Sequence, residues 1–239
     1  SWDQVKVNNY YNQLVLGDIA GSSTVTKFGE NKNVTSSLVT LWDIDGLYPW
    51  PLSALTMSLV STSVQDVSTG SGASSVIVYG LDANYKEIYE IVNTNGTIPV
   101  VLSLQFLRIT RMIVISGGVD GAVGDITLSN GGIGYAKILI GNNQTLMSIY
   151  TVPAGKIAAI TSASSDSSSG KSVVGSFFVR PFGQVFQLKY RYNLFENSRS
   201  LNFKIPYLID EKSDLDIRAI SSAAGTRVTA SWQMEIISK

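Results

Sequence analysis

The 239-residue chain contains no cysteine and no histidine. Histidine is the side chain that exchanges protons near neutral pH, and both residues are the usual protein ligands of transition metals. Their absence excludes a Ser-His-Asp triad, a thiol nucleophile, an ordinary zinc site and a disulfide. Catalysis would have to use paired carboxylates, a serine–lysine pair, or Mg²⁺ or Ca²⁺ held by oxygen atoms. We therefore expect a binding or structural protein, not an enzyme, with no catalytic residue, no cofactor and no metal.

Charge is scarce as well. Charged residues make up 15% of the chain, against about 25% in an ordinary soluble domain. The 18 basic and 18 acidic residues give a formal net charge of zero. Such a chain exerts no long-range attraction on nucleic acid or an anionic membrane, so we expect neither as a partner. It also has little electrostatic repulsion between copies, which fits either a stable neutral domain or a subunit covered by an assembly.

Long apolar runs and helical patterns are nearly absent. No stretch reaches the roughly 18 consecutive apolar residues of a membrane helix. Instead, short runs of β-branched, aromatic and aliphatic residues are interrupted by Gly, Asn, Ser or Pro at the spacing typical of an antiparallel sandwich or barrel. The predicted strands are 74–80, 87–92, 98–104, 106–115, 135–140, 146–152, 156–161, 173–180, 184–191, 201–205, 214–220 and 227–237. The fold class is therefore all-β.

The last predicted strand alternates in polarity. One face would carry Val228, Ala230, Trp232, Met234 and Ile236, and the other Arg227, Thr229, Gln233 and Glu235. A strand with one buried and one wet face is typical of an antiparallel sheet.

A weak internal repeat relates the two halves of the chain. Pro51 and Pro153 each open a strand of small residues, which leads through a Ser/Gly turn into a pair of apolar strands. This pattern predicts two tandem antiparallel, jelly-roll-like β-sandwiches, although an accidental likeness between two β-meanders would look similar. The predicted domains are 39–134, which ends in a glycine-rich connector over 116–134, and 135–239.

Residues 1–38 have a different composition. Asn, Ser, Thr, Gln and Gly dominate, and apolar side chains are few. The segment could be an extended arm that orders against a neighbouring subunit. It could equally add an edge strand to the first sandwich.

Carboxylates and lysines offer only weak catalytic or metal-binding patterns. Asp43-Ile44-Asp45-Gly46 resembles half of a calcium loop, but the position of the bidentate glutamate holds Ala54. Glu211, Asp214 and Asp216 interleave with Lys212 and Arg218, which favours a local surface charge network. Lys156 and Lys171 lie near glycine in predicted turns, whereas serine–lysine chemistry needs a desolvated lysine. A carboxylate pair for glycoside hydrolysis stays open, because its spacing is set in space and not along the chain.

Aromatic residues supply the candidate binding groups. Trp42, Tyr48 and Trp50 could anchor a subunit interface or form a sugar platform, or they could cap the end of a sandwich core. Rings and cations also alternate over 180–204, which is typical either of a surface that stacks single-stranded nucleic acid or of a strand with its rings inside. We favour the second interpretation. The residues that alternate there are Arg180, Phe182, Phe186, Lys189, Tyr190, Arg191, Tyr192, Arg199 and Lys204.

Six segments in this order resemble a group of tailed-phage virion proteins common in marine podovirus-like phages. The segments are 27–51, 76–100, 105–114, 146–161, 173–194 and 205–222. The chain departs from the usual acidic, glycine-rich stretch of this group at Asp43-Ile44-Asp45-Gly46-Leu47. The group supplies no catalytic residue that could be assigned here.

The resemblance implies a non-enzymatic virion structural protein. We expect a capsid decoration or cement protein that stabilises the head shell as a homotrimer on its outer surface, in contact with the major capsid protein or other virion proteins. Trp42, Tyr48 and Trp50, or the N-terminal arm, would be its anchors. The alternative is a tail, head-to-tail or fibre component, with host-glycan binding as one further role.

Overall fold

The structure is a computed structural model that describes residues 10–168, 171–195 and 198–239. One short helix, α1 (Tyr10–Leu16), precedes the strands of this part of the chain. The strands are β1 (Ser22–Val34), β2 (Val39–Thr40), β3 (Leu55–Ser61), β4 (Ala73–Leu81), β5 (Glu87–Asn93), β6 (Val100–Phe106), β7 (Arg108–Gly117), β8 (Ile126–Asn130), β9 (Ile133–Ile138), β10 (Tyr150–Thr151), β11 (Lys156–Ser167), β12 (Ser172–Arg180), β13 (Gln187–Phe195), β14 (Arg199–Ile209), β15 (Asp214–Ser221) and β16 (Thr226–Ser238). The all-β prediction is confirmed.

The strands form four small antiparallel sheets. Sheet 1 has the order β6-β3-β8-β9, and sheet 2 has the order β5-β4-β7. Sheet 3 has the order β14-β11-β16-β1. Sheet 4 has the order β13-β12-β15, and β10 and β2 both pair with β15 at its outer side.

Two hydrophobic cores lie among these sheets. Core 1 contains residues of sheets 1 and 2, together with the aromatic segment 42–50. Core 2 contains residues of sheets 3 and 4. The largest fully buried side chains include Phe106 in core 1 and Trp232 in core 2. Burial of a side chain of this size contributes about 1.5–3 kcal/mol.

The strand orders of the two halves match. Advancing each strand number by eight converts β6-β3-β8 into β14-β11-β16, and it converts β5-β4-β7 into β13-β12-β15. The two corresponding pairs, β3 with β6 and β11 with β14, also contain a register shift. The outer place of β9 in sheet 1 is taken in sheet 3 by β1, which comes from the opposite end of the chain. The internal repeat read from the sequence therefore has a counterpart in the topology.

The finer prediction of two tandem jelly-roll-like sandwiches is not clearly seen. The four small sheets have a four-blade, propeller-like arrangement. The segment 116–134 is not a simple connector, because it contains the paired strand β8. The predicted boundary between residues 134 and 135 falls inside β9, and Tyr135, Met147 and Ile149 pack in core 1.

The N-terminal segment joins sheet 3 through β1. β1 pairs with β16 from Ser22 opposite Ile237 to Val34 opposite Thr226. It is thus an edge strand, but beside the last strand of the chain and not beside the first half. Residues 1–9 of the predicted arm lie outside the described residues. The predicted alternation of β16 is present, since its apolar face is buried in core 2.

In the described part of the chain, no helix is long and apolar enough to cross a membrane.

Candidate functional site

The three predicted anchor residues are buried. Trp42, Tyr48 and Trp50 are 2%, 2% and 8% exposed. Tyr48 packs edge-to-face between the two tryptophans, with ring centroids 5.1 Å and 4.8 Å away. The Trp42 indole N–H donates to the carbonyl oxygen of Gly46 at 3.1 Å, which closes the turn. The rings therefore face the interior of core 1. None of the three is exposed enough to anchor a partner subunit or to stack on a sugar.

Trp50 connects this aromatic cluster to a group of buried charges. Its backbone has a φ of 34°, a left-handed conformation that costs a non-glycine residue of the order of 1 kcal/mol or more. The guanidinium groups of Arg108 and Arg180 each lie 5.3 Å from the centre of its ring. Both cations lie within cation–π distance of the indole ring.

Asp214 is the centre of the charge group. Its two carboxylate oxygens accept from Nε and Nη2 of Arg108 at 2.8 and 3.1 Å. Arg180 donates to Oδ2 at 2.8 and 2.5 Å, and the Thr151 hydroxyl donates to Oδ1 at 2.6 Å. Arg108 packs beside core 1 on β7, whereas Asp214 lies on β15 beside core 2. The pair therefore ties the two halves together.

Asp216 forms a second buried ion pair two residues further along β15. Its Oδ2 accepts from Nε of Arg218 at 2.7 Å and from the Thr40 hydroxyl at 3.2 Å. Complete burial raises the pKa of Asp216, and the contact with Arg218 only partly offsets this rise. The predicted surface charge network is thus wrong for Asp214 and Asp216, because β15 is buried on both faces. It fits Glu211, which accepts from Lys239 at 3.1 Å near the surface.

The calcium-like segment does not assemble a metal site. Oδ2 of Asp43 accepts from the backbone N–H of Leu146 at 2.5 Å, whereas Asp45 is exposed. Burial raises the pKa of Asp43 to about 7. Across residues 10–168, 171–195 and 198–239, the structure shows no group of three acidic side chains suited to a metal ion.

The lysines considered for nucleophilic chemistry are at the surface. Lys156 forms an ion pair with Glu87 at 2.5 Å, and Lys171 is exposed. The buried lysine is Lys27, which the sequence analysis did not single out. It is 3% exposed and donates to the carbonyl oxygen of Thr110. Burial lowers the pKa of Lys27 well below its usual range, and the charge of Arg111 lowers it further.

The aromatic side chains of segment 180–204 do not lie together on one exposed surface. Phe186 packs against core 1 and Tyr192 against core 2. Phe182 and Tyr190 are exposed, and Arg180 is held by Asp214. This arrangement is closer to strands with rings inside than to a stacking surface.

A candidate surface for binding another protein lies along β13 and β14, the outer strands of sheets 4 and 3. We call its exposed apolar side chains the edge surface: Leu188, Tyr190, Ile205, Tyr207 and Leu208. An outer strand leaves one row of backbone N–H and C=O groups unpaired within its sheet, which a partner strand can pair with. Several exposed apolar side chains on two such strands favour an interaction surface.

Comparisons with known proteins identify no family. No family model matches the chain, and no curated protein is significantly similar to it. One similar solved structure is that of the Gx strain of infectious bursal disease virus, with a TM-score of 0.25 and 7% identity over 91% of this chain and 72% of the other. Particles with T=1 symmetry derived from infectious bursal virus give a TM-score of 0.25 and 8% identity over 90% and 69%. A likeness this weak carries no argument about fold or function.

Proposed function

We propose that this chain is a non-enzymatic virion structural protein of a tailed phage, and specifically a capsid decoration or cement protein. It stabilises the head shell by occupying a fixed place on its outer surface. Its partners are further copies of itself, as a trimer, and the major capsid protein or other virion proteins.

The observation that carries the proposal is the edge surface on a chain without net charge. Ile205 and Leu208 are 86% and 65% exposed. Covering these side chains in an assembly would lower the free energy of the protein, because apolar surface would be removed from water. Each square ångström of apolar surface removed from water contributes about 25 cal/mol. Because the formal net charge is zero, long-range repulsion does not oppose close packing of many copies.

The buried carboxylates support a non-enzymatic role. Asp214 and Asp216 both carry arginine partners in the protein interior. A glycoside hydrolase needs two carboxyl groups that flank a bound sugar in a cleft. The Arg108–Asp214 pair joins the two cores, and a rigid subunit of this kind suits a fixed place in a lattice.

A capsid-binding assay tests the proposal. Wild-type protein and the Ile205→Lys variant are added to purified heads that lack the protein, and bound protein is quantified after sedimentation. We expect occupancy to fall about tenfold for the variant, since a buried unpaired ammonium costs more than 1.4 kcal/mol.

The matched control is Leu52→Lys, because Leu52 is also highly exposed but lies outside the edge surface. Both variants should keep the wild-type thermal midpoint and circular dichroism. Binding of wild-type protein to tails and not to heads, or equal occupancy for both variants, would contradict decoration through this surface.

A further inference from the structure

An apolar cavity opens between sheets 3 and 4, beneath the edge surface. Its volume is about 130 Å³, and its lining is almost entirely apolar. The side chains that form its walls include Phe177, Leu201, Phe203, Tyr192, Ile217 and Trp232. An enclosed apolar cavity of about 150 Å³ accepts a benzene-sized molecule. This cavity is therefore suited to one aromatic ring or a short alkyl group.

In the first half of the chain, the gap between β5 and β6 corresponds to the gap between β13 and β14, and a side chain bridges it. Val78, the sixth residue of β4, pairs with Glu90 on β5. The Glu90 carboxylate crosses to sheet 1 and accepts from the backbone N–H groups of Ser103 and Leu104, both at 2.8 Å. The carboxylate thereby bridges the gap between β5 and β6 and satisfies two N–H groups of an outer strand.

In the second half, an aromatic residue replaces that carboxylate. Phe177, the sixth residue of β12, pairs with Tyr190 on β13. The Tyr190 hydroxyl accepts from Nη2 of Arg199 at 3.3 Å, so the side chain meets β14 near its start. The gap between β13 and β14 stays open at this point, and the cavity lies within it.

The cavity has polar features that would orient a ligand. Lys189 and Arg199 contribute to its lining, and within the described ranges neither forms an ion pair with a carboxylate. Nε1 of Trp232 is buried and has no hydrogen-bond partner in the described part of the chain. A buried donor without an acceptor costs about 1–3 kcal/mol, and this one belongs to a residue of the cavity wall.

We propose that this cavity is a binding site for a small amphiphilic carboxylate. The aromatic ring or short alkyl group occupies the space beside Phe177 and Trp232, and the carboxylate pairs with Arg199 and Lys189. The proposal goes beyond the virion role, since a ligand here bridges two sheets of a single subunit. Tyr190 and Tyr207 belong both to the cavity lining and to the edge surface.

The test uses hydrocinnamate, which joins one benzene ring to a carboxylate, and hydrocinnamyl alcohol as its uncharged analogue. Binding to the full chain is followed by isothermal titration and by chemical-shift changes of the indole N–H groups. We expect saturable binding of hydrocinnamate with a Kd on the order of 1 mM or below, as the size of the ligand allows. The alcohol should bind about tenfold more weakly, because a charge-assisted hydrogen bond is lost.

Three variants locate the site. Ala163→Leu puts three further carbon atoms into a wall of the cavity and should abolish binding. Arg199→Gln should weaken hydrocinnamate about tenfold and leave the alcohol unchanged. The control is Lys86→Gln, because Lys86 is an exposed cation in the β4–β5 turn and outside the cavity lining. This variant should change the binding of neither hydrocinnamate nor the alcohol.

Absence of saturable binding to wild-type protein would overturn the proposal. Undiminished binding to an Ala163→Leu variant with a wild-type thermal midpoint would do so as well. Binding of apolar peptides without any binding of the carboxylate would assign the cavity to a partner's side chain instead, and would likewise refute a small-molecule site.

Discussion

Arg108 and Asp214 form a two-pronged ion pair that joins the two halves of the chain. The guanidinium Nε and Nη2 lie 2.8 and 3.1 Å from the two carboxylate oxygens, and both side chains are nearly inaccessible to solvent. Burial alone would lower the pKa of Arg108. The hydrogen bond and the negative charge of Asp214 outweigh this effect, so the pKa is raised. The arginine is therefore charged at neutral pH.

Replacing Asp214 should destabilise the protein strongly. The Asp214→Ala variant leaves the buried Arg108 without its counter-ion, and such changes cost about 3–5 kcal/mol. The measurement is the free energy of unfolding in urea. The matched control is Glu87→Gln, which breaks the more exposed pair with Lys156 and should cost less than about 1 kcal/mol. Equal losses for the two variants would show that the buried pair does not hold the halves together.

The stability contributed by Asp43 should depend on pH. Its pKa rises from an ordinary value of 3.8 to about 7, so between these values the folded state binds more protons than the unfolded state. The free energy of unfolding therefore falls as pH rises through this window. Asp43→Asn should stabilise the protein at pH 8 and have little effect below pH 4.

The control for that prediction is Asp45→Asn, because Asp45 is exposed and two residues away. Thermal midpoints measured across the window should diverge from wild type for the first variant only. A pH profile of Asp43→Asn parallel to that of wild type would show that Asp43 is ionised in the folded protein below pH 7.

Asp66 should organise the loops around core 1. Its completely buried carboxylate accepts from the backbone N–H groups of Ala73, Val123 and Gly124 at 2.8–3.0 Å, and from the Ser61 hydroxyl at 2.5 Å. Asp66→Ala leaves these donors unsatisfied at about 1–3 kcal/mol each. We expect a loss of at least about 3 kcal/mol by urea unfolding, whereas Asp120→Ala, at an exposed position, should stay within about 0.5 kcal/mol. A loss below 1 kcal/mol for Asp66→Ala would mean that water replaces the carboxylate.

The N-terminal arm can be tested by a truncation that spares β1. Removal of residues 1–9 spares α1, which begins at Tyr10, and the pairing of β1 with β16, which begins at Ser22. If the segment anchors the protein on the head, the truncated protein should fold normally and bind heads more weakly. Unchanged occupancy in the sedimentation assay would exclude the arm as an anchor.

Much of the sheet structure could be predicted from local patterns. The alternation of β16 was recognised, because burial of one face imposes a period of two. β5 and β12 were recognised as short apolar runs between turn residues. β8 was missed because it lies among glycines that resemble a connector. β1 was expected only as one of two alternatives for residues 1–38 and beside the wrong half, because its polar residues do not alternate. Lys27, Glu30 and Asn31 are buried in it.

The candidate sites were less predictable, because their partners are distant in the sequence. Arg108 and Asp214 are 106 positions apart, and no local pattern joins them. The aromatic segment was recognised as a cluster, but its composition does not say whether the rings face a core or a partner. The cavity depends on the difference between Glu90 and Tyr190, which becomes visible only after the strand orders of the two halves are compared.

The most direct test of the virion role is the copy number of this chain in purified phage particles, measured by quantitative mass spectrometry against the major capsid protein. A decoration protein requires a copy number of the same order as that of the shell subunit. Its absence from the particles, or a presence in only the few copies of a tail or vertex component, would contradict the account.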